Sequence, residues 1–186
     1  HPGMPMTASV DPSSTRFAAL PLDSVVAERA ALLGRIKLCF GADRASFDRE
    51  LTPLIRRYAA YVHLLPATER DHFSGAGGLF QLGLETAFFS LQGTDAHIFS
   101  GRATISARRE LEPRWRLATF VGGLCCELHR VLSHMIVTTP DGEEWPAYLL
   151  PLAEWLQHRG SHQYFLRWRP QATEVRGLGL FALPLV

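Results

Sequence analysis

The run Leu124-Cys-Cys-Glu-Leu-His129-Arg130 sets two thiols, a carboxylate and an imidazole close together. Thiolate, carboxylate and imidazole are the groups that hold transition metals. On a helix, Cys125 and His129 are four apart and Cys126 and His129 three apart, so either pair shares a face. A further imidazole, His72, ends the stretch Pro66-Ala-Thr-Glu-Arg-Asp71-His72. Brought together, His72, Cys126, Glu127 and His129 would make a metal site. The plainer reading is that the cysteines are small core residues, as free cysteines often are. His129 is then a satisfied polar tip and His72 a turn histidine.

Two other patterns could meet phosphate. Gly75, Gly77 and Gly78 precede an apolar run, and backbone N–H groups at a helix start can cradle an anion. No Lys-Ser/Thr follows them, so this is not a P-loop, and tight backbone packing explains them equally well. Lys37 is the only lysine among 19 basic residues, and arginine's planar fork suits phosphate. Arg108, Arg109, Arg114 and Arg116 gather around Trp115, which could stack on a base. A net charge of +1 supplies little attractive field, which favours a solvated helical face instead. Ser106 and Ser133 have no Ser-His-Asp context, and Tyr58 and Tyr61 stand at core spacing.

These groups need a scaffold. A chain of 186 residues, 47% hydrophobic and 20% charged, suffices for one soluble domain with a core. No apolar run approaches the ~18 residues of a membrane span. Cys39, Cys125 and Cys126 read as reduced thiols in a cytoplasmic protein. Residues 1–20, rich in Pro, Ser and Thr, read as a flexible leader or tag remnant, and 21–186 as a single domain. The sequence starts at His1 and stops inside the apolar segment Leu178–Val186, so it is expected to be the N-terminal part of a longer protein.

Asp23 or Ser24 is expected to cap a helix running to Ile36 and ended by Gly41. A short helical piece starts at Ser46. Thr52-Pro53 opens the next helix, which Pro66 stops. The glycine cluster opens a helix through Leu79, Leu84 and Leu91, with Gly93 at its end. Pro113 begins a central helix through Leu124, Leu128 and Leu132, apolar on more than one face. Met135–Thr139 is β-branched, Pro140-Asp-Gly142 is a turn, Pro151–Arg159 is helical, and Gln163–Trp168 has strand spacing. The fold class is therefore mainly α, with a short β-strand or hairpin near the C-terminus.

Pro66-Ala-Thr, the polar turn at His72, Gly77-Gly78-Leu79-Phe80 and the later Cys126-Glu127 doublet resemble the N-terminal domain of MobH-type conjugative relaxases. These belong to the TraI-type putative helicases and are relatives of HD-domain phosphohydrolases. The resemblance covers roughly residues 22–186. It implies an HD-like helical bundle acting in conjugative DNA processing in an integrating element. DNA and other mobile-element proteins are the implied partners. In that family a run of histidines falls at Asp71-His72, a helix histidine at Leu82, a His-Asp doublet at Cys126-Glu127 and a Gly-Lys at His129-Arg130. Leucine offers no lone pair, and cysteine suits Zn better than Mg or Mn. HD-type phosphodiesterase or nickase chemistry is thus expected to be weak or lost. No cofactor is expected beyond a divalent ion (Zn, Mn or Mg) held by His72, Cys126, Glu127 and His129. A non-catalytic interaction module on the same scaffold is the alternative.

Overall fold

Helix-spaced apolar residues supply most of the core. Ile55, Tyr58, Ala59, Tyr61 and Val62 are buried from one segment, and Leu79, Phe80, Leu84, Ala87 and Leu91 from the next. The computed structural model describes residues 10–41, 44–98 and 104–186, with the side chains of 94–98 and 108 outside the description. The elements run β1 Thr15–Ala18, α1 Leu22–Ala27, α2 Ala30–Phe40, α3 Arg44–Glu50, α4 Thr52–Val62 and α5 Gly78–Ile98. They continue α6 Ile105–Cys125, α7 His129–His134, β2 Met135–Thr138, α8 Leu152–Arg159, β3 Gln163–Trp168 and the short α9 Gly179–Ala182. The fold is mainly helical with one small antiparallel sheet, as the periodicity predicts.

The sheet has the order β1-β3-β2. Thr15 lies opposite Leu166 on one edge of β3, and Met135 opposite Trp168 on the other. Its inner face contributes Phe17, Val137, Tyr164 and Leu166 to the core.

Helices α5 and α6 form the most extensive helix pair. They approach backbone to backbone because two glycines lie at the contact. A Cβ on Gly83 would stand 2.9 Å from the Leu124 carbonyl oxygen, and one on Gly123 2.8 Å from the Ala87 Cα.

Several boundaries differ from the sequence expectation, each for a tertiary reason. The end of the expected leader is β1: Phe17 stacks on Tyr164 with ring centroids 5.4 Å apart, and the edge of β3 pairs its backbone. The first expected helix is two, α1 and α2, separated at Glu28-Arg29. There the Arg29 guanidinium reaches the Ala76 carbonyl. Helix α4 stops at Val62 rather than at Pro66, because His63 takes φ 45° and turns its ring inward. Helix α5 continues past Gly93. Helix α6 starts at Ile105, where the Thr104 side chain accepts from the Ala107 N–H, so Pro113 is inside it. Pro113 is exposed, so the Arg109 carbonyl that loses its helical donor there can be solvated. The expected helix to Leu132 is broken after Cys125 and resumes as α7. Leu124 and Leu128 are both fully buried, as expected of its centre.

Candidate functional site

The break between α6 and α7 builds the most chemically dense spot. It frees Cys126, Glu127 and Leu128 from the long helix and starts α7 at His129. The His129 ring is 1% exposed. The segment after β3 covers it: a Cβ on Gly179 would meet the His129 amide nitrogen at 3.4 Å. That segment also brings Glu174, whose Oε1 lies 3.0 Å from His129 Nε2. Glu127 Oε2 is 4.0 Å from the same nitrogen. Arg130 Nε donates to Glu127, and Arg176 Nε stands 3.8 Å from Glu174. His129 Nδ1 is buried without a hydrogen-bond partner among the described residues. The hydrogen bond from His129 holds the Glu174 carboxyl below its ordinary value.

Among the described residues, Glu127, His129 and Glu174 are the group of three ligand-type side chains that converges, their ligand atoms all within 4.8 Å of one another. Two of the four expected metal residues are therefore brought together. His72 is exposed on the turn after α4, where its carbonyl accepts from Thr68 Oγ1 at 2.8 Å. Cys126 is exposed, and desolvation with the neighbouring Glu127 charge pushes its thiol pKa up. Burial pushes Cys125 up to about 11. Both shifts favour the thiol over the thiolate that binds metal. Leu82 packs against the core. His72, Cys126 and Leu82, three of the positions that the resemblance assigns to metal ligands, thus stand outside the converging group. Glu174 was not legible in the sequence. It stands 45 positions from His129, outside any local motif.

The glycine turn is a packing device. The N–H groups of Gly77, Gly78 and Leu79 donate to the carbonyls of Leu64, Gly75 and Leu65. A Cβ on Gly78 would lie 2.0 Å from the Phe73 carbonyl oxygen. Those three amides are spent inside the protein, which decides against a phosphate cradle made from them.

The four arginines of α6 divide. Arg109 and Arg114 are exposed, as is Trp115 at 58%. Arg108 lies in the helix, but its side chain is outside the described residues. Arg116 is turned inward. Its Nη1 donates to the Phe40 carbonyl at 2.9 Å, and its Nη2 and Nε to Glu112 Oε1 at 3.0 and 3.3 Å. It closes the C-terminal end of α2, so it is corrected from a phosphate contact to a structural one.

No helix among the described residues is long and apolar enough to cross a membrane. No curated protein and no solved structure matches the chain. The model of the TraI-type family described as "Putative helicase" matches residues 18–179, spanning α1 through α8, strands β2 and β3 and the segment that carries Glu174. With the match extending over nearly its whole length, the chain belongs to the TraI-type putative helicase family.

Proposed function

We propose that this chain is a relaxase-related domain of a mobile genetic element, acting in conjugative DNA processing as a DNA-contacting part whose HD-type chemistry is weak or lost. The family match over residues 18–179 is the observation that carries the reading. The surface of α6 supports it. Arg109, Arg114 and Trp115 are exposed on its first half, offering charge to a phosphate backbone and a ring to an unstacked base. The reduced chemistry is supported by Leu82, which packs against the core and offers no lone pair, and by His72 lying apart from the converging group.

The test is a titration of fluorescent duplex and single-stranded DNA, zinc-free, across a salt series. Modest sequence-independent binding is expected. Arg109→Ala with Arg114→Ala should flatten the duplex salt slope by about 2, since each phosphate contact contributes about −0.9. Arg44→Ala, removing an exposed arginine on α3, should leave the slope unchanged. Absence of binding at low salt, or an unchanged slope in the double variant, removes the DNA reading. Robust Mn-dependent phosphodiester hydrolysis lost in His72→Ala would overturn the loss of chemistry.

A second reading, an interaction module for other conjugation proteins, has its own observation. Tyr148, Leu149, Leu180 and Phe181 are exposed, and the Tyr148 and Phe181 rings touch with centroids 6.0 Å apart. A negative DNA titration favours this reading.

A further inference from the structure

Glu127, His129 and Glu174 form a donor set that DNA contact leaves unused. The imidazole at its centre is 1% exposed, and among the described residues its one hydrogen bond runs to Glu174 while Nδ1 has no partner. We propose that Glu127, His129 and Glu174 bind one zinc ion, at a site that ties the α6–α7 turn to the segment after β3. Of the positions where the resembling family carries a metal ligand, Glu127 alone belongs to it; His129 stands where that family has a glycine.

The geometry is close to what the ion requires. Zinc–nitrogen and zinc–oxygen bonds of about 2.0–2.2 Å in a tetrahedron set ligand atoms roughly 3.4 Å apart. His129 Nε2 is 3.0 Å from Glu174 Oε1 and 4.0 Å from Glu127 Oε2. Sub-ångström shifts bring both pairs to that spacing. One imidazole and two carboxylates suit zinc, which such a nitrogen-containing set holds more tightly than manganese. Three protein ligands leave the fourth position for water.

Arg130 on Glu127 and Arg176 beside Glu174 oppose a cation. Each arginine stands on the same oxygen that faces His129 Nε2, Glu127 Oε2 and Glu174 Oε1, so binding the ion requires each arginine to shift to the second oxygen of its carboxylate. The arginines then orient the ligands from outside, as outer-shell partners do at metal centres. They also offset the negative charge, so the imidazole must carry much of the affinity. A second polar group is unspent nearby. The Tyr58 hydroxyl is buried without a partner among the described residues, and it lies 3.0 Å from where a Cβ on Gly83 would stand, as the Leu124 carbonyl oxygen does at 2.9 Å.

The test is calorimetric titration of chelator-treated protein with zinc, with thermal unfolding in parallel. One zinc per chain and a raised Tm are expected. Glu174 is 43% exposed, so Glu174→Gln should fold, as read by circular dichroism, and lose at least ~10-fold in zinc affinity. Glu127→Gln is the second variant, with the same expectation. Cys126→Ser and His72→Ala should bind zinc as the parent does. Absence of zinc-dependent heat and Tm shift in the parent, or parental affinity in both glutamine variants, overturns the site. A loss in Cys126→Ser as large as in Glu174→Gln also overturns it, by assigning a thiolate site. The DNA titrations are zinc-free, so either proposal can fail while the other stands.

Discussion

His63 shows how one residue can join distant parts of the chain. Its Nε2 faces the Leu20 carbonyl at 2.8 Å, which can only accept, so Nε2 carries the proton. Nδ1 is then bare and accepts from the Tyr164 hydroxyl at 2.8 Å, while that oxygen accepts the Leu64 N–H at 3.1 Å. Burial holds the His63 pKa below its ordinary 6.5. The sign follows from which state takes up the proton. Above pH 6.5 both folded and unfolded states are neutral and the full stability is present. As pH falls from there towards the folded pKa, the unfolded chain binds the proton first and stability is lost. Tyr164→Phe removes the donor to Nδ1 and the acceptor for Leu64. It should cost about 1–3 kcal/mol in urea unfolding at pH 7.5. Because the lost donor stabilised the neutral ring, the decline below pH 6.5 should also become shallower. An unchanged midpoint would mean that water replaces the hydroxyl.

At the scale of elements, Arg116 joins α6 to α2. The last carbonyls of a helix lack intrahelical donors and carry partial negative charge. Arg116 answers both needs at Phe40, while Glu112 on its own helix fixes the guanidinium. Arg116→Ala should lower stability by about 1–3 kcal/mol. Arg116→Lys should recover only part, since an ammonium cannot serve two carbonyls and a carboxylate in one plane. Equal stability of parent and Arg116→Ala would show that solvent caps α2 adequately. This contact also marks what sequence reading can reach. Core spacing in α4 and α5, the β2 turn and the α8–β3 succession were legible because they are local patterns. Arg116 read as a phosphate contact because its partners at Cys39 and Phe40 are 77 and 76 positions away. Pro113 and Gly93 read as helix boundaries because local propensity disfavours both. Packing of α5 against α6, with Thr104 capping, overrides them.

For the whole molecule, the sheet is what closes the chain on itself. Strand β3, late in the sequence, is flanked by β1 from near the start and by β2. The stretch around β1 read as leader because Pro, Ser and Thr dominate residues before it and a single buried Phe17 gives no periodicity. Glu174 escaped for the same reason, being placed by the fold rather than by a motif. The family pattern around Gly77-Gly78-Leu79-Phe80 was legible because the Phe73 carbonyl and the packed N–H groups demand those glycines. If β1 belongs to the cooperative unit, its one buried side chain should matter to distant probes. Phe17 is 7% exposed and stacks on Tyr164, so Phe17→Ala removes a buried ring and leaves a void. The expected cost is about 3 kcal/mol, at the lower end for such truncations because an edge strand can partly collapse. Fluorescence reports the four tryptophans, of which Trp145 and Trp155 are buried, while far-ultraviolet circular dichroism reports the helices. The two unfolding curves of Phe17→Ala should coincide and shift together. A variant in which fluorescence and helix signals keep the parental midpoint would show that β1 frays independently, leaving residues up to about 20 outside the folding unit.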